Sequence, residues 1–153
     1  MTDQDEPQEL PQWIEDHVRL YLEDPDQAHY WDSTPFDGPG ILPTLLLTTT
    51  GRKSGQTRMS PLIYGKAGDA FVIVASKGGA PSHPAWYLNL AHRPDCQIRV
   101  GRDRFDVRAR TSSGEEREKL WPLMTGIYPP YDDYQAISRG RQIPVVVLDP
   151  ISP

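Results

Sequence analysis

The sequence predicts an α+β fold built around a small barrel of about six mainly antiparallel strands. Three observations carry that prediction. Six short segments are rich in β-branched and aromatic residues, and Gly/Asp-bearing turns join several of them. The helical patterns do not alternate with the strands as a doubly wound sheet requires.

Residues 1–9 read as an acidic, disordered tail and 10–153 as one domain. Leu10, Trp13, Ile14, His17, Val18, Tyr21 and Leu22 recur at helical spacing, an amphipathic stripe entered at Pro11 and stopped at Asp24-Pro25. A Gly/Pro-rich connector covers 35–40. Strands are expected at Thr44–Thr50, Arg58–Tyr64, Phe71–Ser76, Cys96–Val100, Arg104–Arg110 and Ile143–Asp149. Residues 65–69 and 101–103 read as hairpin turns. Three further helices are expected. They are Pro84–His92, Gly114–Met124 behind a Ser113-x-x-Glu116 capping box, and Tyr131–Arg139 ahead of Gly140.

A chain of 153 residues buries enough surface to fold without disulfides or metal. Four Trp, seven Tyr and three Phe are too many aromatics for a disordered chain. No apolar run is long enough to span a bilayer, and the acidic N-terminus lacks the basic-then-apolar pattern of a secretory signal. A single cysteine, Cys96, excludes an intrachain disulfide framework and a thiolate zinc cluster. A cytoplasmic setting is the expectation.

The net charge of −5 is unevenly spread: residues 1–50 carry −10, 51–110 carry +7 and 111–153 carry −2. The acidic head would repel a nucleic acid, whereas the basic middle suits a small polyanion. The first helix sets Glu9, Glu15, Asp16, Glu23 and Asp24 against a lone Arg19, so anionic lipid would repel it and no strong membrane anchor is expected.

Several familiar sites fail on spacing. Gly51-Arg-Lys-Ser54-Gly55 is neither a phosphate-binding Walker loop nor a nucleophile elbow, and there is no GxGxxG. His17, His29, His83 and His92 lack metal-ligand spacing, so no metal site is expected.

Three segments carry chemistry. Residues 48–58 pass from a hydroxyl-rich strand end into a turn with two glycines, Arg52, Lys53 and Ser54, then Arg58. Such a turn gathers backbone N–H groups and cations as a phosphate or carboxylate requires. The alternative is a solvated hairpin tip. Residues 74–90 run from a strand through Ser76, Lys77 and the pair Gly78-Gly79 into a helix at Pro84, a second place for an anion. Trp86 there suits core packing as well as ligand contact. Tyr128, Tyr131 and Tyr134 recur every three residues, and three phenols bring hydroxyls that a purely structural stripe would not need.

In order, Thr-Gly51-Arg-Lys-Ser-Gly55, Pro61-Leu-Ile-Tyr64, Ser76-Lys-Gly-Gly…His83-Pro-Ala-Trp-Tyr-Leu-Asn-Leu90, Trp121-Pro122, Tyr128-Pro-Pro-Tyr131-Asp-Asp-Tyr134 and Ile143-Pro-Val-Val-Val147 closely resemble the deazaflavin (coenzyme F420)-dependent nitroreductase and quinone reductase family, over residues 40–150. The resemblance implies an FMN-binding-like split β-barrel that binds reduced F420 and passes its hydride to a quinone or nitroaromatic acceptor. It implies that Arg52, Lys53, Ser54 and Arg58 hold the coenzyme's phosphate or glutamates. Pro61, Ile63, Ala75, Ser76, Lys77 and Gly78 would line the deazaflavin, with Ala85 and Trp86 nearby. Tyr128, Tyr131 and Tyr134 would form the acceptor pocket, open without substrate, and with Ser76 would serve the reacting oxygen. Ile63 departs from an aromatic found in some relatives. The alternatives are an FMN-dependent reductase of the same fold and a non-catalytic F420 carrier. The oligomeric state stays open.

Overall fold

A computed structural model describes residues 11–151. The expected acidic tail and Leu10 lie outside the described residues. The amphipathic stripe forms α1 (Gln12–Glu23), followed by a short helix α2 (Pro25–Ala28) whose first turn is capped by Asp24, Oδ1 accepting from Gln27 N at 3.3 Å. The strands are β1 (Tyr30–Asp32), β2 (Ile41–Thr50), β3 (Thr57–Ile63), β4 (Gly65–Ala67), β5 (Ala70–Val74), β6 (Asp95–Val100), β7 (Asp103–Thr111) and β8 (Val145–Pro150). Helix α3 (Ala85–His92) lies between β5 and β6, and α4 (Gly114–Ile127) and α5 (Pro130–Ile137) lie between β7 and β8.

The strands form one curled antiparallel sheet in the order β1-β2-β6-β7-β8-β5-β4, with β3 also paired to β2. Alternation along β5 and β8 sorts side chains into two layers. Phe71, Ile73, Val146 and Leu148 join Leu45, Leu47, Ile98 and Val107 inside the barrel. Val72, Val74, Val145 and Val147 face outward under Leu120 and Met124 of α4 and Tyr131 of α5. Both faces of these strands are covered, so they read as unbroken apolar runs. Each fully buried side chain of this kind contributes about 1.5–3 kcal/mol.

Helix α1 closes the back of β2: Tyr21 packs with Leu46 and Ala28, donates to Thr44 O at 2.7 Å and accepts from Gly101 N at 3.1 Å. Tyr21, with the half-buried Val18 and Leu20, thus covers this part of the barrel, while Trp13 and Leu22 stay exposed. Among the described residues no helix is long and apolar enough to cross a membrane.

The structure departs from the expectation in four places. Two strands are added. β1 forms because the chain before the connector pairs with Ile41–Pro43 of β2. Residues 65–67, expected as a turn, form β4 against β5, which shortens the turn to Gly68-Asp69. The Ser113 capping box does not form: Ser113 sits at the N-cap without a side-chain bond, because Arg110 takes Glu116. Finally, α4 continues through Pro122 to Ile127, and α5 stops at Ile137.

Candidate functional site

The turn between β2 and β3 is tightly knit. Gly51 N donates to Gln56 O at 2.8 Å, Gly55 N to Gly51 O at 2.9 Å, and Gln56 N to Ser54 Oγ at 3.0 Å. It is also pinned from outside. Asn89 of α3, fully buried, accepts at Oδ1 from both Arg52 N (3.1 Å) and Arg52 Nη1 (3.0 Å). Its Nδ2 donates to Thr49 Oγ1 at 3.3 Å. One amide thus fixes the strand end, the turn backbone and a guanidinium, which a loose hairpin tip would not need. The turn borders an open cleft of about 480 Å³ lined by Thr50, Gly51, Arg52, Lys53, Ser54, Gly55, His92 and Arg93. Three cationic side chains and exposed backbone around one cleft favour an anion. Arg58 lies half-buried further along β3.

The second segment follows β5. Ala75 is buried and its N–H donates to Pro144 O at 2.9 Å. A 3-10 turn then covers Lys77–Gly79, with positive φ at Lys77 (48°), Gly78 (61°) and Gly79 (84°). The two glycines differ in surroundings. A Cβ on Gly78 would meet nothing within 4 Å, whereas one on Gly79 would lie 2.8 Å from Tyr134 O and 2.7 Å from Ile137 Cγ1. Gly79 is therefore the seat of α5, and Gly78 borders open space. Lys77 Nζ donates to Ser82 Oγ at 3.4 Å. The chain enters α3 at Ala85, so α3 carries both segments: its start receives this loop and Asn89 holds the cationic turn. Trp86 packs inside the barrel cluster, and Ala85 is half-buried. On β3, Pro61 stands opposite Leu46 and Ile63 opposite Thr44. Both are half-buried, and Ile63 packs against the cluster that holds the tyrosines.

Two of the three tyrosines are buried, and Tyr134 is half-buried. Tyr128 closes α4, Tyr131 lies in the first turn of α5, and each is only 4% exposed. Their rings meet edge-on at 4.9 Å. Tyr128 OH donates to Phe36 O at 3.2 Å, so its oxygen accepts from Tyr134 OH at 2.9 Å. The expected open stripe closes because the end of α4 and the start of α5 turn the first two rings inward onto Val145 and Val147. Burial, and for Tyr128 the bond to Tyr134, push both hydroxyls well above the usual tyrosine pKa. Both are neutral at physiological pH.

Residues 20–150 match the profile of the F420H(2)-dependent quinone reductase family. The chain belongs to this family. It is 40% identical over 146 residues to an F420H(2)-dependent quinone reductase of Mycobacterium tuberculosis, covering 92% of this chain and 97% of the relative. Among solved structures, an F420-H2 dependent reductase, FDR-A, is 42% identical with a TM-score of 0.64, covering 69% of this chain and 93% of that one. A domain-swapped dimer is 35% identical with a TM-score of 0.67, covering 90% and 98%. These neighbours share the curled, split-barrel sheet.

Within this F420H(2)-dependent reductase fold, sequence reasoning missed four contributors. His92 and Arg93 line the cleft from the end of α3, where a His-Arg pair after an apolar helix was the available signal. Asn89 was also legible, as an amide in the otherwise apolar run Ala85–Leu90. Arg141 gave no signal, because its partners lie about sixty residues away. Cys96 is buried within the barrel cluster, and burial pushes its thiol up to about 12.

The tyrosine network makes a stability prediction. Tyr131 OH makes no hydrogen bond among the described residues, so Tyr131→Phe should leave the thermal midpoint within about 2 °C of wild type. Tyr128→Phe strands Phe36 O and Tyr134 OH and should cost about 1–2 kcal/mol in urea unfolding.

Proposed function

We propose that this chain binds reduced F420 and passes its hydride to a quinone, with nitroaromatic compounds as a second acceptor class. The observation that carries this reading is the cationic cleft, with its turn locked to α3 through Asn89. The donor set fits the coenzyme: Arg52, Lys53, Ser54 and Arg58 would hold its phosphate and glutamates. A Cβ on Gly78 would meet nothing within 4 Å, so Ser76, Lys77 and Gly78 would face the deazaflavin there; Pro61, Ile63 and Ala85 would lie in its surroundings, with Ala75 and Trp86 supporting them from the barrel core. When bound, the reduced coenzyme supplies the hydride.

The chain's own part is to orient, exclude water and serve a proton. An acceptor that takes a hydride also takes a proton on oxygen, and a neutral hydroxyl beside it would stabilise the developing charge or supply that proton. Tyr134 is half-buried, and its proton is directed to Tyr128. Rotation off Tyr128 would turn it towards an acceptor while Tyr128 keeps its bond to Phe36 O. Ser76 is the second donor, and the buried Tyr131 packs beneath Tyr128 and Tyr134 and supports them from the core. The single buried cysteine suits a reducing, cytoplasmic setting.

Titration with F420, followed by fluorescence, tests the reading. Arg52→Ala combined with Lys53→Ala should weaken binding at least about tenfold, and raising salt should weaken the wild type more than the double variant. Equal affinities would move the anionic tail elsewhere.

A further inference from the structure

Arg141 lies between α5 and β8, outside every regular element and outside the cationic cleft. Its guanidinium nonetheless makes four bonds to one loop. Nε donates to Ala80 O at 2.9 Å, Nη2 to Ser76 O at 2.7 Å, and Nη1 to both Ala75 O and His83 Nδ1 at 3.0 Å. Arginine can only donate, so His83 is held as the neutral tautomer with its proton on Nε2. The backbone of Arg141 is also tied: its carbonyl accepts from Gln135 Nε2 (2.7 Å) and shares the Ser138 hydroxyl proton (2.8 Å) with Gln135 O (2.9 Å) at the end of α5. Gln135 Oε1 in turn accepts from Ile143 N at 2.8 Å. One residue therefore couples the tyrosine-bearing helix to the loop 75–83.

That loop needs an external brace. Lys77 holds a left-handed conformation that costs a non-glycine residue about 1 kcal/mol or more, and such backbones persist where the surroundings over-determine them. Inside the loop the backbone bonds are few: Gly79 N to Ser76 O and Ala80 N to Lys77 O. The arginine fork adds three carbonyl bonds in fixed relative geometry, which an ammonium cannot reproduce.

We propose that Arg141 is the positioning residue of the F420 site: it holds Ala75–Ala80 in the shape that presents Ser76, Lys77 and Gly78. This rests on the assignment of that segment to the deazaflavin.

The test compares wild type with Arg141→Lys, and with the milder Ser138→Ala, which removes the hydroxyl shared between the Arg141 and Gln135 carbonyls. Amide hydrogen exchange of the apo proteins and equilibrium F420 affinity are measured at low and high salt. In Arg141→Lys, exchange at residues 76–80 should quicken at least about tenfold while residues 51–56 keep wild-type rates. F420 affinity should fall by about tenfold, with its salt dependence unchanged because the cationic turn is intact. Ser138→Ala should move both readouts in the same direction by less. Wild-type exchange at 76–80 in Arg141→Lys would overturn the proposal, as would faster exchange with wild-type F420 affinity. Uniformly faster exchange across the sheet would reduce Arg141 to a general structural role and also overturn it. If Arg141→Lys does not fold, Ser138→Ala decides on the same two readouts. Failure of the wild type to bind F420 would instead refute the functional reading beneath it.

Discussion

Asn89→Leu is expected to lower stability by about 2–4 kcal/mol and F420 affinity by at least about tenfold. The substitution keeps the branched heavy-atom shape, with bulkier methyls, but removes the acceptor of Arg52 N and Arg52 Nη1 and the partner of Thr49 Oγ1. Asn89 is fully buried, so water cannot easily replace it, and stranded polar groups cost about 1–3 kcal/mol each. For a chain of this size the thermal midpoint should drop by roughly 5–15 °C. The affinity loss follows because the turn carrying Arg52, Lys53 and Ser54 loses its tie to α3, and ordering it again would draw on binding energy. Asn89→Asp separates the two effects: its carboxylate still accepts from Arg52, so the midpoint should lie nearer wild type than that of Asn89→Leu. A large fall in midpoint with wild-type F420 affinity in Asn89→Leu would show that the anchoring does not serve the cleft.

The barrel was legible because its six principal strands are marked by local chemistry. Val145–Leu148 and Phe71–Val74 are apolar on both faces, as strands between a barrel core and covering helices must be. β1 was not legible: Tyr30–Asp32 has no alternation of its own and becomes a strand by meeting β2. The Ser113 box illustrates the converse. Its spacing suits a cap, yet Arg110, brought close by β7 and also paired with Asp149, engages the Glu116 carboxylate, which therefore does not reach back to the Ser113 N–H. At the candidate site, the residue types of the turn and the glycine loop pointed to an anion. What ties them together is long-range. Asn89 reaches back to Thr49 and Arg52, and Arg141 to Ala75 and Ser76, and neither pairing follows a period along the chain. The tyrosines show the same limit: their three-residue spacing is compatible with an exposed stripe, and the break between α4 and α5 at Pro129 is what turns two of them inward.

Gly78 and Gly79 are adjacent and both left-handed, yet their alanine variants should fail in opposite ways. At either position a Cβ pays a conformational cost of about 1 kcal/mol for positive φ, so that term cancels in the comparison. The difference is what the methyl meets. At Gly79 it would lie 2.8 Å from the Tyr134 carbonyl and under 3 Å from two Ile137 carbons. Ile137 is exposed and can yield, but the carbonyl belongs to the backbone of α5 and moves only if the helix moves. Gly79→Ala should therefore lose about 2–4 kcal/mol, with α5 lifted from the loop and the Tyr134 bond to Tyr128 disturbed. At Gly78 the methyl meets nothing within 4 Å, so the variant should lose only about 1 kcal/mol. The same methyl projects into the space assigned to the deazaflavin, and F420 affinity should fall at least about tenfold. Urea unfolding and F420 titration on both variants give four numbers. The expected pattern is a stability loss concentrated in Gly79→Ala, with Gly78→Ala losing affinity out of proportion to its small loss of stability. Wild-type affinity in Gly78→Ala would place the ring away from this loop, and equal stability in the two variants would mean that α5 does not rest on Gly79.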